Sequence, residues 1–174
     1  MLTPHSAGGT FADPRGFTYC GMPSPQPFLT FDRVRWSDVD FVRIMRFSAF
    51  TRLVEVAEQE LMRAASMPYS MIFDAPTVYL PRRQLSLEYF APVRLDDELA
   101  LVTFVSQIGD TALTFNVDVR SATSWTLVAS AAMVVVCVGV ESFAKQRVPE
   151  EIRTALAPYT CSVAAARAWK PSGA

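Results

Sequence analysis

An α+β domain, with one long helix held against a run of antiparallel strands, is what this sequence predicts. Three observations lead there. Apolar residues keep helical spacing over one long span only, where Phe47, Phe50, Val54, Ala57 and Leu61 recur without Gly or Pro between them. After Pro76 the chain turns to strand chemistry and holds it to Val140, with turn residues breaking it at intervals. The 174 residues, 51% of them hydrophobic, suffice for one substantial core, and no repeat or second core is visible.

The elements follow in order. Residues 1–27 are rich in Gly, Pro, Ser and Thr and lack both a basic start and an apolar core, which reads as a flexible tail and not as a signal peptide. Residues 28–36 alternate as a first strand, and Ser37-Asp38-Val39-Asp40 breaks it. The helix is expected from about Phe47 to Arg63, with Ser48 as its N-cap, ending before Pro68 because the residue preceding proline avoids the α region. Strands are expected near 77–91, 97–108, 111–121 and 126–140. Gly109-Asp110 forms a tight turn between two of them and Ser121-Ala122-Thr123-Ser124 a looser one. Pro149-Glu150-Glu151 opens a short terminal helix. The domain thus spans 28–160, and residues 161–174 read as a second tail or a frayed helix.

Composition excludes several functions. Sixteen Lys plus Arg against 17 Asp plus Glu, with no long run of either sign, give no surface for nucleic acid. Cys20, Cys137 and Cys161 are odd in number and widely spaced, which argues against a disulfide framework or a zinc site and favours a reducing cytoplasm. Cys137, in an apolar strand, reads as core packing. The longest apolar stretch, Leu127–Val140, is well short of the roughly 20 residues of a membrane helix. The one histidine, His5, lies in the tail, so neither a Ser-His-Asp triad nor a histidine-ligated metal is available to the domain. No metal and no cofactor is expected.

Element order and spacing suggest a hot-dog fold, a long central helix wrapped by a five-stranded antiparallel sheet, and two motifs carry a resemblance. Val34-Arg35-Trp36-Ser37-Asp38-Val39-Asp40 resembles the V-R-W-x-D-x-D opening of the 4-hydroxybenzoyl-CoA thioesterase family of hot-dog proteins. Glu88-Tyr89-Phe90-Ala91-Pro92-Val93-Arg94-Leu95-Asp96-Asp97-Glu98-Leu99 resembles that family's E-Y-x-x-P-x-R-L-D-D-x-L signature. With Val148-Pro149-Glu150 near the end, the resemblance covers about 130 residues.

The resemblance implies a thioesterase acting on an acyl or aroyl group carried by CoA or by an acyl carrier protein. It makes Asp40 the catalytic carboxylate, as nucleophile or as general base toward water, roles that need no histidine. It puts the backbone N–H of Phe47, at the start of the helix, where related enzymes polarise the thioester carbonyl. The first amides of a helix have no intrahelical acceptor and sit at its positive end. Asp38 is expected to be structural, bonding loop amides. Glu55 matches a position often acidic in the family and is read equally as a residue orienting water or substrate and as an exposed helix glutamate. Trp36, Phe41, Phe47 and Phe50 suggest an apolar pocket, and Asp96-Asp97 read as turn residues.

The chain also departs from the family. Arg43 stands where relatives carry a glycine, removing that residue's freedom at positive φ, and the family's adjacent arginines for the CoA phosphates have no counterpart at Gln107–Asp110. Arg43, Arg46, Arg82 and Arg83 are the remaining candidates for a phosphate, with Arg46 alternatively a partner for Asp40. Relatives close their pockets by pairing sheets edge to edge, so a homodimer or homotetramer is expected. The other function class is a hot-dog protein without hydrolytic activity, acting as a binding or assembly subunit.

Overall fold

The helical stripe becomes the axis of the domain. In the computed structural model, which describes residues 25–74 and 77–171, helix α1 (Phe50–Ala64) follows a 3-10 turn at Phe47–Ala49 and buries Phe50, Leu53, Val54, Ala57, Leu61 and Met62 on one face. The expectations for His5, Cys20, Pro76 and most of the N-terminal tail lie outside the described residues. Ser48 is not the N-cap. It sits inside the 3-10 turn, which Arg46 enters from extended backbone, and its carbonyl accepts from Thr51 Oγ1 at 2.7 Å. The helix ends before Pro68 by a Schellman closure: Ser66 takes φ +60°, its N–H reaching the Arg63 carbonyl and that of Met67 the Met62 carbonyl.

Five antiparallel strands curve around α1 in the order β1-β4-β5-β6-β3. They are β1 (Phe28–Arg33), β3 (Arg82–Tyr89), β4 (Glu98–Ile108), β5 (Ala112–Ser121) and β6 (Leu127–Val136). Leu99, Leu101 and Val105 of β4, Val117 and Val119 of β5, and Ala131 and Met133 of β6 face the helix in one core. The expected strand 77–91 is divided at Leu80-Pro81. Its first part, β2 (Val78–Tyr79), pairs with β7 (Val138–Gly139), while Val136 N–H turns to the Pro81 carbonyl at 3.0 Å. The last strand divides likewise at Cys137, which is buried in the core as expected. The β4–β5 turn closes at Gly109, whose N–H donates to the Ala112 carbonyl at 2.8 Å; a Cβ there would lie 3.3 Å from that oxygen.

Helix α2 (Tyr69–Asp74) follows α1, and α3 (Glu150–Leu156) begins just after Pro149 and buries Ile152 and Leu156. Of the segment expected as a second tail or a frayed helix, residues 161–171 are described, and they carry a docked helix. Helix α4 (Val163–Ala168) starts at Ser162, whose Oγ accepts from Ala165 N–H, and buries Ala166. Its Arg167 reaches Asp118 at 3.6 Å on the sheet's outer face. There Leu29, Ala100 and Val102 form a second apolar cluster, with Phe31, Trp125 and Trp169 packed against it. That cluster gives an otherwise marginal Ala-rich helix something to pack on. At the opposite edge β3 pairs on one side only and is exposed along its length save at Leu87.

Candidate active site

Strand β1 leads through buried Val34 into a 3-10 turn at Trp36–Asp38, and Asp38 anchors everything that follows. Only 3% exposed, its carboxylate accepts from Arg35 N–H at 2.9 Å and from Arg52 Nε at 3.2 Å, and it is also ion-paired with Arg52 Nη2. Burial alone would raise its pKa; the hydrogen bonds and charge of Arg52, with the Arg35 amide, outweigh it and hold the carboxyl below its usual value. Arg52 pairs in addition with Asp32 on β1.

From Asp38 the chain makes a small hairpin that returns to α1. Arg46 N–H donates to the Asp38 carbonyl (2.8 Å), Val39 bridges Met45, and Asp40 N–H donates to the Ile44 carbonyl (3.1 Å). Asp40 lies half-buried at the base of the tip, where its Oδ1 accepts from Val42 N–H at 3.0 Å and its carbonyl from Arg43 N–H at 3.0 Å. Arg43, expected from the resemblance at a glycine position, has φ +64°, so an arginine here adopts the left-handed backbone at a cost of about 1–2 kcal/mol. Met45 N–H to the Val93 carbonyl (2.8 Å) ties the hairpin to the second motif, where Asp97 caps Arg94 N–H and Asp96 takes φ +68° as turn residues.

A cleft of about 650 Å³ opens at the tip, lined by Trp36, Val39, Asp40, Phe41, Arg43 and Leu95. Trp36 and Phe41 are 80% and 95% exposed, so the wall is aromatic with one acid and one base in it. Phe47 starts the helical run at the other end of the hairpin, and no acceptor among the described residues takes its N–H. Its carbonyl accepts from Tyr89 Oη at 3.2 Å, which fixes the helix start against β3. One hairpin therefore carries the carboxylate and the open amide, with Cα atoms on the order of 10 Å apart by strand geometry. The Phe47 side chain, 75% exposed, is not part of the cleft wall.

The other candidates are dispersed. Phe50 is buried in the core, its ring edge-on to Tyr89 at 5.1 Å. Arg46 donates to the Ser37 carbonyl and not to Asp40. Arg82 is paired with Glu58 at 2.5 Å, and Tyr69 Oη donates to the same carboxylate at 2.5 Å. Glu55 is exposed, and its charge acts on Arg82. Arg83 is exposed on β3 with no ion pair among the described residues. Glu58 lies eleven residues along the helix from Phe47, about 16 Å away, so this group is remote from Asp40 within the protomer. The sequence reading missed Arg52, Glu58 and Tyr69. Arg52 had a signal, since a cation in the first turn opposes the helix dipole and requires a compensating acid nearby.

The family model for the thioesterase-like superfamily matches residues 34–156, a span that opens at Val34 and takes in the hairpin, α1 and the whole of β3 to β6. Acyl-CoA thioester hydrolase YbgC from Escherichia coli is 28% identical over 120 residues, 69% of this chain and 88% of that protein. 1,4-Dihydroxy-2-naphthoyl-CoA hydrolase from Nostoc punctiforme is 27% identical over 124 residues, 71% of this chain and 82% of its own length. Among solved structures, a 1,4-dihydroxy-2-naphthoyl-CoA thioesterase from Synechocystis superposes with a TM-score of 0.71 at 22% identity, covering 75% of this chain and 95% of that one. A thioesterase-superfamily protein from Jannaschia does so with a TM-score of 0.71 at 23% identity, covering 82% and 99%. These superpositions show the hot-dog fold.

Proposed function

This chain belongs to the thioesterase-like superfamily, and on that premise we propose that it hydrolyses acyl or aroyl thioesters carried on CoA or on the phosphopantetheine of an acyl carrier protein. The observation that carries the reading is the hairpin: Asp40 lines an aromatic cleft at one end and the Phe47 N–H is open at the other. A thioester carbonyl accepting from that amide has a donor where negative charge develops, an effect worth about 100- to 1000-fold per donor. Asp40 then attacks the carbonyl carbon to expel the thiolate, leaving a mixed anhydride that water cleaves, or it takes the proton of the attacking water directly. Both routes consume one water and release the free acid and the thiol. The test is thiol release from a panel of thioesters, aliphatic and hydroxyaroyl, since one relative is named for acyl-CoA and another for 1,4-dihydroxy-2-naphthoyl-CoA. No release from any member would overturn the reading.

Of the four arginines considered for the carrier, Arg43 is the one in the cleft wall. Arg43→Gly suits the left-handed backbone and is the substitution of choice. It is expected to raise KM about 5- to 20-fold for a CoA-borne substrate, the loss of one charge-assisted contact, and less for a short pantetheine thioester without phosphate. Equal KM changes on CoA, on a carrier protein and on the short mimic would remove the phosphate role and leave Arg43 reading the acyl group.

The open β3 edge supports a homodimer or homotetramer, in which two sheets join and each cleft gains a second wall. Sedimentation at micromolar concentration is expected to give a dimer or larger species, shifted toward monomer by Leu85→Lys in the middle of that edge. A monomer alone would contradict this.

A further inference from the structure

We propose that Arg52 is a positioning residue, the clamp that sets the geometry between the Asp40 carboxylate and the Phe47 amide. The inference rests on the thioesterase reading for its kinetic consequence and on the structure for the clamp itself. Arg52 lies in the first turn of α1, five residues after Phe47, where its charge opposes the helix dipole. It is retained there by two carboxylates, Asp32 from β1 and the buried Asp38 at the base of the hairpin. Its grip on Asp38 is two-pronged, through Nε and Nη2, the planar arrangement that fixes orientation as well as distance.

Asp38 is the point where both active ends meet. Two residues onward along the chain is Asp40. Across the hairpin, the Asp38 carbonyl accepts the N–H of Arg46, the residue immediately before Phe47. The Asp38 carboxylate also holds Arg35 N–H, fixing the turn that carries Trp36 of the cleft wall. A rotation of Asp38 thus moves the carboxylate, the amide and the aromatic wall relative to one another. No other side chain on α1 forms an ion pair with this hairpin among the described residues.

The experiment compares wild type, Arg52→Met, Arg52→Lys, Asp38→Asn and the double variant Asp38→Asn/Arg52→Gln, with Arg63→Met as control because it removes only the exposed Arg63–Glu60 pair of the same helix. Since a misplacement near 1 Å can cost on the order of 100-fold, Arg52→Met and Asp38→Asn should each lower kcat about 10- to 100-fold with KM within about threefold. The double variant should be no worse than Arg52→Met, because the Asp38–Arg52 contact is already gone in that variant, and Arg52→Lys should recover part of kcat. Hydrogen exchange at residues 38–47 should quicken in the same variants and not in the control. Arg52→Met strands a buried charge, so the double variant keeps the test open if it fails to fold. Unchanged kcat, or activity lost only in proportion to folded protein, with exchange at 38–47 unaltered, would overturn the proposal. If wild type hydrolysed no thioester, the catalytic reading would fall, whereas exchange at 38–47 would still decide the clamp.

Discussion

Asp40→Asn is expected to lower turnover by about 10³-fold or more while leaving the fold and its stability nearly unchanged. The kinetic half of this follows from chemistry. An amide is neither a nucleophile toward a thioester nor a base toward water, so the variant forfeits whichever role the carboxylate plays, a barrier increase of about 4 kcal/mol. The structural half follows from the hairpin. The one hydrogen bond that the Asp40 side chain makes within the loop is accepted at Oδ1 from Val42 N–H, and an asparagine carbonyl oxygen accepts that same bond in the same shape. Asp38→Asn should behave differently, losing less turnover but more stability, because it neutralises the partner of Arg52 in a buried position. The pair of substitutions is best assayed together by thiol release and by urea denaturation. Wild-type turnover in Asp40→Asn would end the mechanism proposed for this site.

The contrast between these two aspartates shows what the sequence makes legible. Local periodicity announces α1 and the strands, since burying one stripe or one face dictates which residues are apolar. Both motifs lie on contiguous segments, so the break after β1 and the turn at Asp96-Asp97 are legible from their spelling, while the hairpin between Asp38 and Arg46 is not. Pairings between distant segments are another matter. The β3 pattern gives no hint that Arg82 would turn inward to Glu58, 24 residues away, and not outward to a phosphate. Glu55 and Glu58 are the same residue type and differ in the helix face they occupy; the apolar neighbours at Val54, Ala57, Leu61 and Met62 mark Glu58 as the inward one. Phe47 fits the apolar stripe by spacing yet is exposed, because the 3-10 first turn rotates it away from the face that α1 buries. Residues 161–171 read as either a tail or a frayed helix because what decides between them, the outer apolar cluster of the sheet, is built from β1, β4 and Trp125.

The same buried glutamate yields the largest stability effect expected away from the hairpin. Glu58 is 1% exposed on the central helix, and its carboxylate is held by Tyr69 Oη and Arg82 Nη2 at 2.5 Å each. Burial and the adjacent carboxylate push the Tyr69 hydroxyl well above its usual pKa, so it remains a donor throughout the working range. Removing Arg82 leaves the charge with one neutral donor in an apolar surround. Breaking a fully buried pair costs about 3–5 kcal/mol. Because the Arg82 side chain is 47% exposed, water replaces part of what it supplied, and about 2–3 kcal/mol is the expected loss for Arg82→Met. Glu58→Gln in that background should restore much of it, since a glutamine carbonyl still accepts from Tyr69 and carries no charge to strand. The restoring effect of a second substitution separates this account from simple loss of packing by the arginine stem, which Glu58→Gln would not repair. Urea denaturation of wild type, Arg82→Met, Glu58→Gln and the double variant decides it. Arg82→Met within about 0.5 kcal/mol of wild type would show that Glu58 does not depend on the pair, and if kcat/KM for a CoA thioester fell at the same time, Arg82 would return to the carrier-binding role that the sequence first suggested for it.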